Sequence, residues 1–316
     1  MAVKLIEAAK AAFDAGADRL FSVIALFAES SPILNAMSFD DIDGQALTYN
    51  REEALPGVDF RGVNESFAES TGVISPQSDA LKIIGGDMDV DIFIDRTMSR
   101  ANIRSTHERM KIKAAALRFG HSIIKGDEQS NPKDVDGLQA RLALNGTQLL
   151  PGHTTVATNG APLELKQLSA AIENTERPTH IVCTRRMRSL ITLASNNAAI
   201  VNIDRTKDDF GQPVPRYYGL PFLIIDPLDV PYQTLAFNEI SPLGGNSPVT
   251  TSIYVVSFTP DGVHGIQHSG IQLRDMGEVQ DKPVLRSRIE WYAGMAMKRP
   301  RAATRLHSIT DAAVIA

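Results

Sequence analysis

The sequence predicts an α+β protein organised around one long helix, and three observations carry that expectation. Residues 100–125 run without proline and place Ile103, Met110, Ala114, Leu117, His121 and Ile124 on one face at about 100° per residue. Short strand candidates, punctuated by Pro, Gly and Asp, recur along the remaining chain. Regular βαβ alternation is missing, which argues against Rossmann and TIM-barrel architectures. With 316 residues, 43% of them hydrophobic, the chain can bury one large core or two modest ones.

Taken in order, residues 3–28 read as an amphipathic helix with Leu5, Ala9, Phe13, Ala17, Leu20, Val23, Ile24 and Phe27 at helical spacing. Gly16 weakens its middle, and Ser30, Ser31 and Pro32 end it. Strand candidates follow near 36–39 and 46–50. The stretch 46–80 then mixes acids, Gly, Pro, Asn and Ser with Leu47, Tyr49, Val58, Phe60, Val63, Phe67 and Val73, without helical or strand periodicity. A loop this long is unusual in a compact domain unless it is functional or disordered. Its apolar content is too high for a solvated linker. The expectation is that it packs against something outside its own subunit.

Residues 81–97 read as a strand in which Asp87, Asp89 and Asp91 alternate with Met88, Val90 and Ile92. After the long helix, which Gly126-Asp127 stops, come a short helix at 135–144, a turn-rich stretch to Pro162 and a helix at 163–174. A β-α unit spans 179–195. Short strands are expected near 199–204, 216–218, 222–225 and 252–259, and the last two near 262–267 and 285–296.

The net charge of −5 argues against a generic nucleic-acid binder, and the N-terminal helix is too charged for a signal peptide or a membrane span. A lone Cys183, in the apolar run Ile181-Val182-Cys183, excludes an intrachain disulfide and a multi-cysteine zinc site. Charge is unevenly spread. Residues 1–95 hold 17 acids and 6 bases, whereas residues 96–125 hold 8 bases and one acid, Glu108. Arg100, Arg104, Lys111, Arg118 and Lys125 share a band of the long helix roughly 60° wide. Residues 282–307 are also basic. Such cations repel unless anions cover them. Three readings stand: an acidic surface of a neighbouring copy, drawn from 40–69; packaged nucleic acid; or a solvated helix face.

Catalytic signatures are missing. There is no G-x-G-x-x-G, no P-loop and no G-x-S-x-G. His107-Glu108 begins like a zincin motif, but Lys111 stands where the second His belongs. His264 and His268 lie in a Gly-rich, strand-like setting that removes the meaning of their spacing for a metal. Asp87, Asp89 and Asp91 fit a solvated strand face better than a cation site. Asp208-Asp209 and Gly244-Gly245-Asn246 read as turns. No catalytic residue, cofactor or metal is expected.

The run Tyr49-Asn50-Arg51-Glu52-Glu53-Ala54-Leu55-Pro56-Gly57-Val58-Asp59-Phe60-Arg61-Gly62-Val63-Asn64-Glu65, continuing to Glu69-Ser70-Thr71-Gly72, resembles the extended loop of tailed-bacteriophage major capsid proteins. Leu117-Arg118-Phe119 through Lys125-Gly126-Asp127 is similar to the exit of that family's spine helix. The resemblance implies the Hong Kong phage-type capsid fold. Residues 1–40 would form an N-terminal arm and 41–80 an extended loop lying on an adjacent subunit, so that this outstretched third finds shelter only on sister molecules. Residues 81–150 and 281–316 would form a peripheral domain with the spine helix 100–125, and 151–280 an axial domain. Copies would build pentamers and hexamers of an icosahedral shell around double-stranded DNA, assembled in a bacterial cytoplasm, without sequence-specific DNA binding and without a membrane. Inter-subunit contacts would fall on Arg51, Glu52, Glu53, Asp59, Phe60, Arg61, Glu65, Glu69, Arg100, Arg104, Lys111 and Arg118. Portal, decoration and separate scaffolding proteins are the further partners. No lysine lies between Lys10 and Lys82, so the lysine cross-link of some members is not expected. An encapsulin-like compartment and a soluble α+β enzyme are the rival readings.

Overall fold

The computed structural model describes residues 3–14, 18–97, 103–143, 146–155, 158–197, 203–207, 213–225 and 233–315. Its helices are α1 (Leu5–Asp14), α2 (Asp18–Ser30), α3 (Pro32–Ala36), α4 (Ile92–Thr97), α5 (Ile103–Lys125), α6 (Leu138–Ala143), α7 (Leu165–Asn174) and α8 (Arg185–Asn197). The strands before α7 are β1 (Val3–Lys4), β2 (Ser38–Asp41), β3 (Ala46–Ala54), β4 (Val73–Ala80), β5 (Lys82–Asp91) and β6 (Leu149–Pro151). Those after it are β7 (His180–Cys183), β8 (Ile203–Lys207), β9 (Pro213–Tyr217), β10 (Leu220–Ile224), β11 (Glu239–Ile240), β12 (Pro248–Val256), β13 (Val263–Glu278), β14 (Val284–Met297) and β15 (Ala303–Thr310).

Three sheets result. A five-stranded sheet has the order β1-β2-β13-β14-β5; an eight-stranded sheet runs β6-β15-β12-β7-β10-β9-β8, with β11 on β12; and β3 with β4 forms a separate two-stranded ribbon. The smaller sheet rests on α5 and the N-terminal helices. Trp291 of β14 is 1% exposed at the centre of that core. It meets Phe27 at 5.0 Å and Phe119 at 4.7 Å, both edge-on, and Phe39 at 5.3 Å. In the larger sheet, Ile181 and Cys183 face a second cluster with Leu168, Met187, Ile253 and Leu306, while Val182 and Tyr254 join the first. Burial on both faces is why Ile181-Val182-Cys183 is uniformly apolar. The β7–α8–β10 crossover is the β-α unit expected from sequence, with β10 parallel to β7.

Several expectations are corrected. The N-terminal 40 residues are not outstretched. Leu5, Ala9, Val23, Phe27, Ile33, Leu34, Met37 and Phe39 are all buried in the chain's own core, and β2 pairs with β13. The segment contains three helices where one was expected. Of the expected face of α5, Ile124 is buried, but Met110 is 62% exposed and the rest of the buried face is Ile112, Ala116, Phe119 and Ile123. Two apolar stripes compete on this helix, and the bulk of Phe119 places its own stripe inward. Strand β5 ends at Asp91, whose carboxylate accepts the Phe93 N–H (2.7 Å) and starts α4. Residue 280 lies in the turn of the β13–β14 hairpin, and β15 pairs with β12 in the eight-stranded sheet. Of the strand expected near 199–204, residues 199–202 lie outside the described residues, as does the turn expected at Asp208-Asp209.

Candidate assembly surfaces

The segment 46–80 is a hairpin: the strand expected near 46–50 runs on to Ala54 as β3, residues 55–72 have no regular structure, and β4 returns. Its register sets Leu47 opposite Asp79, Tyr49 opposite Gln77 and Arg51 opposite Ser75. Leu47, Tyr49 and Arg51 lie half-buried against the body while Thr48, Asn50 and Glu52 point out. That two-residue alternation carries the strand past the expected end at Asn50, where hydrophobicity alone stops because the third inward member is Arg51.

The root of the ribbon is fastened by polar contacts. The Tyr49 hydroxyl reaches Asp79 Oδ2 (3.0 Å) and the Met297 carbonyl (2.8 Å). Arg141 Nη2 donates to Asp79 Oδ1 (2.7 Å) and the Met295 carbonyl (3.0 Å). Arg51 Nη2 donates to the Met297 carbonyl (2.7 Å). Burial and the Asp79 carboxylate together push the Tyr49 hydroxyl above its ordinary pKa. Arg51 is thus engaged by its own subunit's main chain. Sequence reasoning names Tyr49 only as a member of this stretch and does not single out Asp79 or Arg141, the contacts that root it.

Beyond Ala54 and Val73 the tip of the ribbon projects. Leu55, Val58, Phe60 and Val63 are 81–106% exposed, and Phe67 is 64% exposed. The tip nevertheless holds a defined shape. Arg61 Nη1 donates to the Glu65 carbonyl (2.9 Å) and lies over the Phe67 ring at 5.1 Å. Gly62 N–H donates to the Glu65 carboxylate (2.8 Å), and Ser70 Oγ to the Gly57 carbonyl (3.1 Å). Glu52, Asp59, Glu65 and Glu69 are exposed, giving the surface an acidic rim. The side chain of Glu53, like Arg100, lies outside the described residues.

Three of the five cations of the α5 stripe are answered within the chain. Arg104 pairs with Asp275 (2.5 Å) and Glu108 (3.6 Å), Arg118 with Asp134 (2.7 Å) and Lys125 with Glu239 (3.2 Å). These carboxylates remove the electrostatic reason for requiring a neighbour's acids over Arg104 and Arg118. Lys111 lies over Gly86 and lines a groove of about 340 Å³ between α5, β5 and residues 131–135. The basic C-terminal region is likewise paired: Arg286 holds Asp89 (2.7 Å), Arg288 holds Asp87 (2.6 Å), Arg299 holds Glu176 (2.6 Å) and Arg305 holds buried Glu239 (3.3 Å). Asp87 and Asp89 lie on the exposed strand face expected from sequence and form a cross-strand ladder with arginines there, and those arginines hold both carboxyls below the usual range.

Among the described residues, no group of three or more His, Cys, Asp or Glu is placed to hold a metal ion, and no helix is long and apolar enough to cross a membrane. Burial pushes the Cys183 thiol up to about 12, which leaves it a protonated core side chain. His264 is fully buried, and His268 Nδ1 meets the Ile42 carbonyl (3.0 Å).

No family model and no curated protein matches the sequence. Solved structures do. The capsid of cyanophage A-1(L) superposes with a TM-score of 0.64 at 12% identity, covering 89% of this chain and 93% of that one. An encapsulin complex from Synechococcus elongatus gives 0.63 at 15% identity, covering 88% and 87%. The structure of Microbacterium phage Oxtober96 gives 0.60 at 12% identity, covering 89% and 90%. The chain has the phage major capsid fold, and the α+β class expected from sequence holds.

Proposed function

We propose that this chain is a shell subunit whose copies assemble into the pentamers and hexamers of an icosahedral phage head around double-stranded DNA. One observation carries the reading: a ribbon rooted by Tyr49, Asp79, Arg51 and Arg141 presents a shaped apolar tip that no described residue of its own subunit covers. Exposed apolar surface of this kind marks a protein–protein contact. The tip would seat on an adjacent copy, with Glu52, Asp59, Glu65 and Glu69 setting its register through charge. Copies of itself are the principal partners, a portal, decoration proteins and a separate scaffold the further ones. The role requires no catalytic group, cofactor or membrane, and its destination is the virion.

The test is size-exclusion chromatography with negative-stain microscopy of the full chain and of a variant in which an Asn-Gly turn joins Ala54 to Val73. The full chain is expected to form closed shells and the variant only small oligomers. A full chain that stays monomeric under assembly-favouring conditions would overturn the reading. Nuclease-protected DNA inside the particles separates a phage head from an encapsulin-like compartment, where a packaged protein is expected.

A further inference from the structure

His264 stands out among the buried titratable groups. It lies on β13, paired with Ala296 of β14, and is 0% exposed. Neither ring nitrogen makes a hydrogen bond of normal geometry. The neighbouring Gly262 carbonyl accepts the Lys298 N–H (3.2 Å) and also acts on the ring, favouring its charged form. Asp40 of β2 holds its Oδ2 3.9 Å from Nε2, beyond hydrogen-bond reach. A buried polar side chain left in this state is rare and calls for a reason.

Its position supplies one. β2 pairs with β13 over only three residue pairs, Phe39, Asp40 and Asp41 against Gly265, Ile266 and Gln267, and only β1 lies beyond it. This short seam is where the N-terminal 40 residues join the five-stranded sheet. The root of the hairpin comes down beside it, since Tyr49 and Arg51 both bond the Met297 carbonyl. We propose that His264 is an acid-sensitive latch on the N-terminal segment: neutral, it allows β2 to close on β13; protonated, it opens that seam.

The charged groups facing the ring are Asp40 on β2, Asp79 on β4 and Lys298 just past β14. Asp79 is occupied by Tyr49 and Arg141, and Lys298 opposes a second cation. Burial is the largest influence and lowers the imidazole pKa, with Lys298 adding to it and Asp40, the Gly262 carbonyl and Asp79 only partly offsetting it. Once the seam opens, the imidazole reaches water and protonates near its ordinary value, about 6.5. The contribution of the closed seam is therefore complete above about pH 6.5 and is lost as pH falls toward the depressed value. Each unit of depression opens the seam about tenfold more often in acid. This proposal does not depend on shell formation.

Hydrogen–deuterium exchange of the full chain at about pH 7.5 and about pH 5 tests it, after correction for intrinsic exchange. Protection of peptides covering 3–14 and 33–41 is expected to fall in acid, while that of α7 and β12 holds. His264→Leu is expected to abolish the acid response. Asp40→Asn, which keeps the imidazole but removes its counter-charge, is expected to deepen it. An unchanged response in His264→Leu would overturn the proposal. Should that variant not fold, carbon-edited NMR of the wild-type histidines decides: titration of His264 at the ordinary value would equally overturn it.

Discussion

The carboxylate of Asp79, on the returning strand of the extended hairpin, meets the guanidinium of Arg141 on α6 at 2.7 Å. The two side chains are only 11% and 16% exposed. They fix the point at which the ribbon leaves the body. Because the pair is largely dry, removing one member leaves the other charge buried and unanswered. Asp79→Asn is expected to cost about 3 kcal/mol in urea unfolding. Tyr49→Phe, which removes one neutral donor, is expected to cost about 1 kcal/mol. A double-mutant cycle on the two should show coupling, since both act on one carboxylate.

Trp291 is the one tryptophan of the chain, so its fluorescence reports a single environment. That environment is shared by β14, the spine helix through Phe119 and the N-terminal segment through Phe27 and Phe39. Phe27→Ala is expected to destabilise the protein by about 3–5 kcal/mol and to shift the tryptophan emission to the red. An N-terminal segment docked elsewhere would leave both quantities unchanged. This variant therefore also checks the correction that residues 1–40 fold onto their own subunit.

What was legible in the sequence follows from which signals were local. The spine helix, α7 and the β7–α8 unit each carry their own periodicity and stop signals, and all three appear close to the expected bounds. The class and the family resemblance rested on those elements and on the hairpin. The buried face of α5 was not legible, because Met110, Ala114 and Leu117 form as plausible a stripe as Ile112, Ala116 and Phe119, and only the tertiary partners decide. The cation stripe was visible, but its anions were not. Asp275 and Glu239 are distant in sequence from Arg104 and Lys125, and only the fold brings them together. The same holds for Asp79 and Arg141, and for β15, whose turns at Pro300 obscured a strand that pairs with both β12 and β6.

His307 gives a pH prediction separate from the N-terminal seam. It is 3% exposed on β15, its Nδ1 lies 2.7 Å from Ser308 Oγ, and burial with help from Arg305 pulls its pKa down to about 4. An imidazole kept neutral by the fold contributes stability that is complete above about pH 6.5 and lost as pH falls through the window down to about pH 4. A depression of this size corresponds to about 3 kcal/mol across that window. Urea midpoints at about pH 7 and about pH 4 should show this loss in wild type and a smaller one in His307→Asn. His264 titrates in the same direction, so the comparison is made in a His264→Leu background.

The last prediction separates folding from assembly at the hairpin tip. Phe60 and Val63 are 106% and 93% exposed, so neither contributes packing to its own subunit. Phe60→Ser with Val63→Ser is therefore expected to change unfolding free energy by no more than about 0.5 kcal/mol. The ribbon persists, because β3 and β4 are held by main-chain pairing and by the root contacts, none of which involves the tip. Seating Phe60 against an adjacent copy would contribute roughly 1.5–3 kcal/mol per subunit. A closed shell sums that term over all its copies, so even a weak individual contact has a large effect on the assembled particle. The doubly substituted chain should thus fold normally and fail to form shells at concentrations where the wild type assembles. Normal shells from this variant would show the tip to be a solvated ornament and would move the assembly contact elsewhere on the subunit.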